Sequence, residues 1–431
     1  MLNPLAQELN TALAGTTAGT LLSDLGTRIY FPKGIIAQSA EAKKLGKTAN
    51  ATIGTALING TPIILPAVHK FAPELSAGQL VSYAPTAGIP ELRTLWKDKL
   101  YAKNPGLKGK NISLPVVVPG LTAGISFLSD LFVDEKHPLL AADPSWDNYA
   151  LIVEARRNSE LHQFSMFKDG KFDIDSFKAA LANEAKTVGS VRVILNFPQN
   201  PSGYSPTVNE AEQIVAAVKA EAEKGTKIIV WDDDAYFGLN YEKDIYPQSL
   251  FAELCDLHEN VLAIKIDGPT KEDFAWGFRN GFITFGGKGM SEAHYDALVK
   301  KLMGLIRSSV SCSTTPSQNM ILGAVKDANL EAQKLEYRTI LENRYTIVRT
   351  FVDSHSSKVL KALPFNSGYF MSFALSGVDA EELRLALLNN KGIGTIAIDS
   401  KTLRVAFSSL DDDKIVPVFE AIYQEAENLA K

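Results

Sequence analysis

Val191-Arg192-Val193-Ile194-Leu195-Asn196 runs straight into Phe197-Pro198-Gln199-Asn200-Pro201-Ser202-Gly203, and Lys227-Ile228-Ile229-Val230-Trp231-Asp232 runs into Asp233-Asp234-Ala235-Tyr236. Each begins as a short apolar run rich in Val and Ile and ends in polar or turn-forming residues. A helical pattern, Glu210–Glu223, lies between them. The same alternation extends outward in both directions. Further strands are expected at Leu114–Val118, Pro138–Ala142, Val261–Ile266 and Gly281–Phe285, with a helix at Thr122–Phe132. Continuous apolar strands separated by helices predict an α/β fold whose mostly parallel mixed sheet is flanked by helices on both faces.

Upstream, the turn-rich Tyr83-Ala84-Pro85-Thr86-Ala87-Gly88-Ile89-Pro90 leads into a helix over Glu91–Ala102, with Leu92, Leu95, Trp96 and Leu100 at helical spacing. Downstream, a long helix of mixed charge is expected from Asn329 to Asp353. The tail reads as an α+β piece, with strands near Tyr369–Phe373 and Leu403–Phe407 and a final amphipathic helix. The expected division is a large domain over residues 60–330 and a smaller α+β domain built from both termini, 1–59 with an N-terminal arm and 331–431.

Composition narrows the function classes. The chain has 431 residues, 45% hydrophobic and 22% charged, with a net charge of −5. That is ordinary globular composition, and a mildly acidic balance carries no global footprint for nucleic acid. Two cysteines, Cys255 and Cys312, make neither a disulfide framework nor a zinc site and read as small buried hydrophobes. The six histidines show no ligand spacing, so no metal site is expected. Met1–Gly26 has no basic and apolar leader pattern, and no apolar run approaches the roughly 18 residues of a spanning helix. A cytoplasmic protein without a membrane partner is expected. Gly286-Gly287-Lys288-Gly289 lacks a full nucleotide-loop pattern and reads as a turn.

Ligands of open α/β sheets bind beyond the carboxyl ends of the strands. There the chain offers an amide (Asn200), carboxylates (Asp232–Asp234), a phenol (Tyr236), an amine (Lys271), an indole (Trp146) and a helix start at Gly120-Leu121-Thr122. Pyridoxal phosphate needs such a set: a lysine for the Schiff base, a carboxylate for the ring nitrogen, donors for the phenolate oxygen and a flat residue against the ring. A helix N-terminus supplies the phosphate cup. Strand alternation puts Asp233 on the face of Ile229 and Trp231 and Asp232 on the other. Lys265 is the competing lysine, but it lies inside an apolar strand without a glycine turn.

These motifs, in their order, resemble the fold-type I pyridoxal-phosphate-dependent aminotransferases of class I/II, the aspartate aminotransferase-like family. The likeness runs from about Asn50 to Phe407, through Tyr83…Gly88, Gly120-Leu121-Thr122, Pro144-Ser145-Trp146, Asn200-Pro201-Ser202-Gly203, Asp233 with Tyr236, Lys271 with Arg279, and Arg404. The resemblance implies a ping-pong transfer of an amino group from an L-amino acid to a 2-oxo acid. A lyase or decarboxylase on the same scaffold is the alternative; a non-enzymatic sensor module is disfavoured because no helix-turn-helix precedes the motifs.

The resemblance also assigns roles. Lys271 would form the Schiff base and shuttle the proton, Asp233 would pair with the ring nitrogen, and Tyr236 and Asn200 would bond the phenolate oxygen. Trp146 would stack on the ring. Leu121 and Thr122 N–H groups, the Thr122 hydroxyl and Arg279 would hold the phosphate, with Tyr83 reaching it from the partner of a homodimer with shared sites. Arg404 would clamp the α-carboxylate, Gly54 would bring backbone close to the substrate, and Arg307 would select a distal carboxylate across the interface. One departure stands out. Relatives often carry Ser where this chain has Gly268, which leaves two alternatives: Thr270 supplies the missing hydroxyl, or the cup has one donor fewer.

Overall fold

A computed structural model describes residues 2–12, 22, 27–28, 35–52, 54–70 and 74–430. Most of the stretch read for a leader, and Ile53 beside Gly54, lie outside the described residues. The central sheet has seven strands. In chain order they are β1 (Val116–Val118), β2 (Leu139–Asp143), β3 (Leu161–Ser165), β4 (Ser190–Asn196), β5 (Lys227–Asp233), β6 (Val261–Asp267) and β7 (Gly281–Gly287). Their spatial order is β1-β7-β6-β5-β4-β2-β3. β7 runs antiparallel to both neighbours, and the other pairings are parallel.

Six of these strands match the predicted runs within a residue or two. β3 was not expected. Leu161-His162-Gln163-Phe164-Ser165 is an edge strand with one buried residue, Phe164, so it lacks the continuous apolar run of a strand covered on both faces. Gly286 and Gly287 end β7 rather than turning, while Lys288 and Gly289 do turn. Cys255 is buried as expected, whereas Cys312 is only half-buried because it sits in the bend after a helix end.

Helices cover the sheet. α1 (Pro90–Lys103) begins with proline at its first turn, where no backbone donor is lost. α2 (Leu121–Phe132) follows β1, and α3 (Val208–Glu223) follows the turn after β4. α3 carries a capping box: Thr207 Oγ1 accepts from Glu210 N–H, and the Glu210 carboxylate accepts from Thr207 N–H at 2.8 Å. The short α4 (Pro269–Glu272) follows β6, and α5 (Glu292–Ser309) follows β7. The long α6 (Leu330–Ser354) then leads to a second sheet of four strands: β8 (Leu360–Ala362), β9 (Met371–Leu375), β10 (Ile396–Ala397) and β11 (Thr402–Val405), in the order β8-β9-β11-β10. α7 (Asp412–Leu429) closes the chain. The N-terminal segment packs here too: Gln38 exchanges two hydrogen bonds with the Ala397 backbone, and Ala49–Asn50 pairs with Ile393–Gly394.

Alternation along β5 sorts the site. Trp231 packs with Ile194 and Ile264 in one core, and Ile228 and Val230 pack with Val193 and Ala263 in the other. Asp233 therefore leaves the sheet on the Trp231 side, while Asp232 and Asp234 leave on the other. None of the three is solvated; all are buried. Asp234 is ion-paired with Lys265, which is fully buried, so the competing lysine is a core residue on the far face. Removing one partner of a buried pair strands the other charge. Asp234→Ala should lower stability by about 3–5 kcal/mol, read as a lower midpoint in urea unfolding; an unchanged midpoint would show that Asp267 and Asp232 suffice to hold Lys265.

Candidate active site

Beyond the ends of β4, β5 and β6 lies a cavity of about 230 Å³. Gly54, Leu121, Thr122, Trp146, Asn200, Asp233, Tyr236, Lys271 and Arg404 all line it. The β strands reach it in register, with Asp233 opposite both Asn196 and Ile266. Asn196 welds the floor: its Nδ2 donates to the Asp233 carbonyl at 2.7 Å, and its Oδ1 accepts from Asn200 N–H at 2.9 Å.

Asp233 is 4% exposed. Burial pushes its pKa up; the Tyr149 hydroxyl, the nearby Lys271 charge and the Ala235 N–H pull it back. Tyr149 donates to Asp233 Oδ2 at 2.5 Å and packs edge-on to Trp146. Sequence reading missed Tyr149, Asn196 and Phe370, which also line the cavity. Tyr149 had a signal, the three-residue helical step from Trp146.

Lys271 Nζ sits 4.5 Å over the Tyr236 ring and has no hydrogen-bond partner among the described residues. Burial pushes its pKa down to about 8, with Asp233 opposing and Arg279 adding to the shift. Arg404 is 2% exposed. Burial pushes it down to about 10, so it stays charged at neutral pH. Its Nη1 donates to Asn200 Oδ1 at 2.9 Å and its Nη2 to the Thr52 carbonyl at 3.2 Å, while Nε is buried with no partner. Phe370 stacks against the guanidinium at 4.2 Å. Asp147 acts on it electrostatically, but among the described residues no carboxylate forms an ion pair with a fork shaped to take one.

α2 presents its first turn to the cavity. Its cap is Gly120, φ 90°, with no side-chain cap, so the leading N–H groups stay open. Thr122 lies inside the helix and does not cap it. Arg279, itself left-handed at φ 53°, lays its guanidinium on Gly120, where a Cβ would come within 2.5 Å of Nη2. Arg279 is thus beside the helix start, although it is not among the cavity-lining residues. Thr270 does not replace the missing serine. It is buried, and its hydroxyl points to the Asn280 carbonyl at 3.5 Å. Tyr83 and Arg307 lie away from the cavity of this chain. Tyr83 is 90% exposed, and Arg307 is on the surface near the end of α5, bonded to Ser311.

A family model, aminotransferase class I and II, matches residues 52–422. The chain belongs to that family. It is 24% identical to a probable aspartate aminotransferase of Methanocaldococcus jannaschii over 57% of this chain and 59% of that protein. It is 20% identical to an aspartate aminotransferase of Sulfolobus acidocaldarius over 85% of this chain and 88% of that protein. An aminotransferase from Anaerococcus prevotii shares the fold with a TM-score of 0.82 at 24% identity, covering 93% of this chain and 97% of that one.

Class I and II aminotransferases are pyridoxal-phosphate enzymes, and this cavity fits the cofactor. An open helix start beside an arginine suits its phosphate, a buried carboxylate suits its ring nitrogen, and an amine with no hydrogen-bond partner among the described residues suits its aldehyde. Among the described residues no group of three or more His, Cys, Asp or Glu is arranged to hold a metal ion.

Two outcomes follow from this geometry. A Cβ at Gly268 would stand 2.8 Å from the Asn280 carbonyl and 3.1 Å from Gly281 Cα, both backbone. Gly268→Ser should therefore loosen bound pyridoxal phosphate, seen as faster loss on dialysis; a tighter hold would show that the cup has room for the hydroxyl. A lysine must be neutral to attack an aldehyde. With Lys271 near 8, uptake of pyridoxal phosphate by the stripped protein should speed up as pH rises through about 8 and then level off, as stopped-flow absorbance would record.

Proposed function

We propose that this cavity holds pyridoxal phosphate and transfers an amino group between an L-amino acid and a 2-oxo acid, in two half-reactions. The observation that carries this reading is one cavity lined by a buried aspartate and by a lysine and a buried arginine that have no carboxylate at ion-pair distance among the described residues. When bound, pyridoxal phosphate supplies an electron sink conjugated to the carbon that bears the amino group. The chain's residues do the rest. Leu121 and Thr122 N–H groups with Arg279 take the phosphate. Asp233 holds a proton on the ring nitrogen, and Tyr149 fixes that carboxylate.

Asn200 has its Oδ1 engaged by Arg404, so its Nδ2 is the end left to donate. With Tyr236 it bonds the phenolate oxygen, and Trp146 covers the ring. Arg404 takes the α-carboxylate that donor and acceptor share, beside the Gly54 backbone. Lys271 would hold the aldehyde, and its amine would take and return a proton at the substrate α-carbon.

Exposed Leu80, Val81 and Tyr83 support a homodimer in which Tyr83 reaches the neighbouring site, with Arg307 as the reader of a distal carboxylate. The packing of Gln38 and residues 49–50 on the β10 region supports the division into a 60–330 domain and a smaller domain from 1–59 and 331–431. No helix among the described residues is long and apolar enough to cross a membrane, and two free thiols support a cytoplasmic setting.

The test is the absorbance of the purified protein with pyridoxal phosphate, titrated with single amino acids and no oxo acid. The yellow band should convert to that of pyridoxamine phosphate, and the panel should rank the donors. A yellow band that persists while oxo acid and ammonia accumulate would make the protein a lyase. Lys271→Ala should stay folded and lose both the yellow Schiff-base band and nearly all turnover.

A further inference from the structure

The turn that carries Lys271 is held from behind by ions. Glu272 and Asp273 follow it directly, and both are buried, 8% and 2% exposed. Three lysines converge on them from two helices. Lys334, on α6, reaches Glu272 Oε1 at 2.7 Å and Asp273 Oδ1 at 2.9 Å. Lys99, on α1, reaches Asp273 Oδ2 at 3.1 Å, and Lys103 pairs with Glu272. Burial alone would raise the Asp273 pKa, yet Lys334, Lys99 and Lys103 hold it well below the usual carboxylate range.

The same α6 grips the other wall of the cavity. Arg344, 2% exposed, donates from Nη1 to the Ser408 carbonyl at 2.6 Å and faces Asp412 at 3.3 Å. Ser408 lies just past β11, the strand that carries Arg404. Lys334 and Arg344 are about 15 Å apart along the helix.

We propose that Lys334 and Arg344 are positioning residues, which make α6 a strut that sets the separation between the Lys271 amine and the Arg404 guanidinium. The lysine must meet the substrate α-carbon while the arginine holds its carboxylate, two atoms on one small molecule. A strut fastened at both ends fixes that distance across the two sheets. A misplacement of about 1 Å costs up to a hundredfold in rate. The proposal rests on the aminotransferase reading of the cavity.

Lys334→Met is the informative variant, because Lys99 and Lys103 remain to neutralise Glu272 and Asp273. With pyridoxal phosphate bound, its kcat should fall roughly ten- to a hundredfold, with KM for the amino acid within about twofold of native. The visible circular dichroism of the bound cofactor should change, and Lys334→Arg should restore most of the loss. Arg344→Met should act mainly on KM. A folded Lys334→Met with native kcat, KM and dichroism would overturn the strut, as would losses that Lys334→Arg does not restore. Native protein run alongside separates the two readings. If it fails to bind pyridoxal phosphate, both fall; if it turns over beside an unperturbed Lys334→Met, only the strut falls.

Discussion

A carboxylate buried inside the protein and hydrogen-bonded there is the constraint on which the rest of the site depends. Asp233 is nearly sealed from water, and burial by itself favours its neutral form. What surrounds it works against the rise in its pKa: the Tyr149 hydroxyl at 2.5 Å, the Ala235 N–H at 3.3 Å, and the Lys271 amine across the cavity. Two of these groups have a further contact. Tyr149 packs edge-on to the Trp146 indole, and Lys271 Nζ lies over the Tyr236 ring.

The phosphate end depends on small residues. Gly120, Gly268 and Gly281 come from three separate segments and meet under the start of α2. Added Cβ atoms would collide with Arg279, with the Asn280 carbonyl and with the Gly120 backbone in turn. The absence of a serine at 268 is therefore a packing solution. The chain brings the first amides of α2 and the Arg279 guanidinium together at Gly120, and a side chain there would push them apart. A helix start without a side-chain cap, which would be a defect elsewhere, leaves open here N–H groups suited to an anion.

β5 divides its labour by face. Toward the cavity it sends Asp233; toward the opposite core it sends Asp232 and Asp234, which meet Lys265 and Ser249. Further along, Asp267 accepts from Trp96 Nε1, and Glu272 and Asp273 meet their lysines. A band of buried charge thus backs the strand ends that line the cavity. Buried pairs are weak sources of net stability but are intolerant of rearrangement, because any shift strands a charge. That intolerance suits a cavity lined from strand ends and from the short helix that carries Lys271.

The local sequence determined the strands and their polar ends. Apolar period and flanking turn residues are short-range signals, so six central strands, α2, α3, α6 and the order of Asn200, Asp233, Tyr236, Lys271 and Arg404 were legible, as was the face of β5 that Asp233 takes. The edge strand Leu161–Ser165 was not, since one buried residue leaves no pattern to read. Tertiary structure decided what depends on distance across the fold. Tyr149 bonds a carboxylate 84 residues away, and Arg404 bonds Asn200 across 204. Thr270 turned to a carbonyl rather than to the cavity, and Lys265 found its acid on the far face. Spacing along the chain carries no information about which side chains meet when strands stack in the order β1-β7-β6-β5-β4-β2-β3. Only closure of the packed sheets turns a list of functional groups into one cavity.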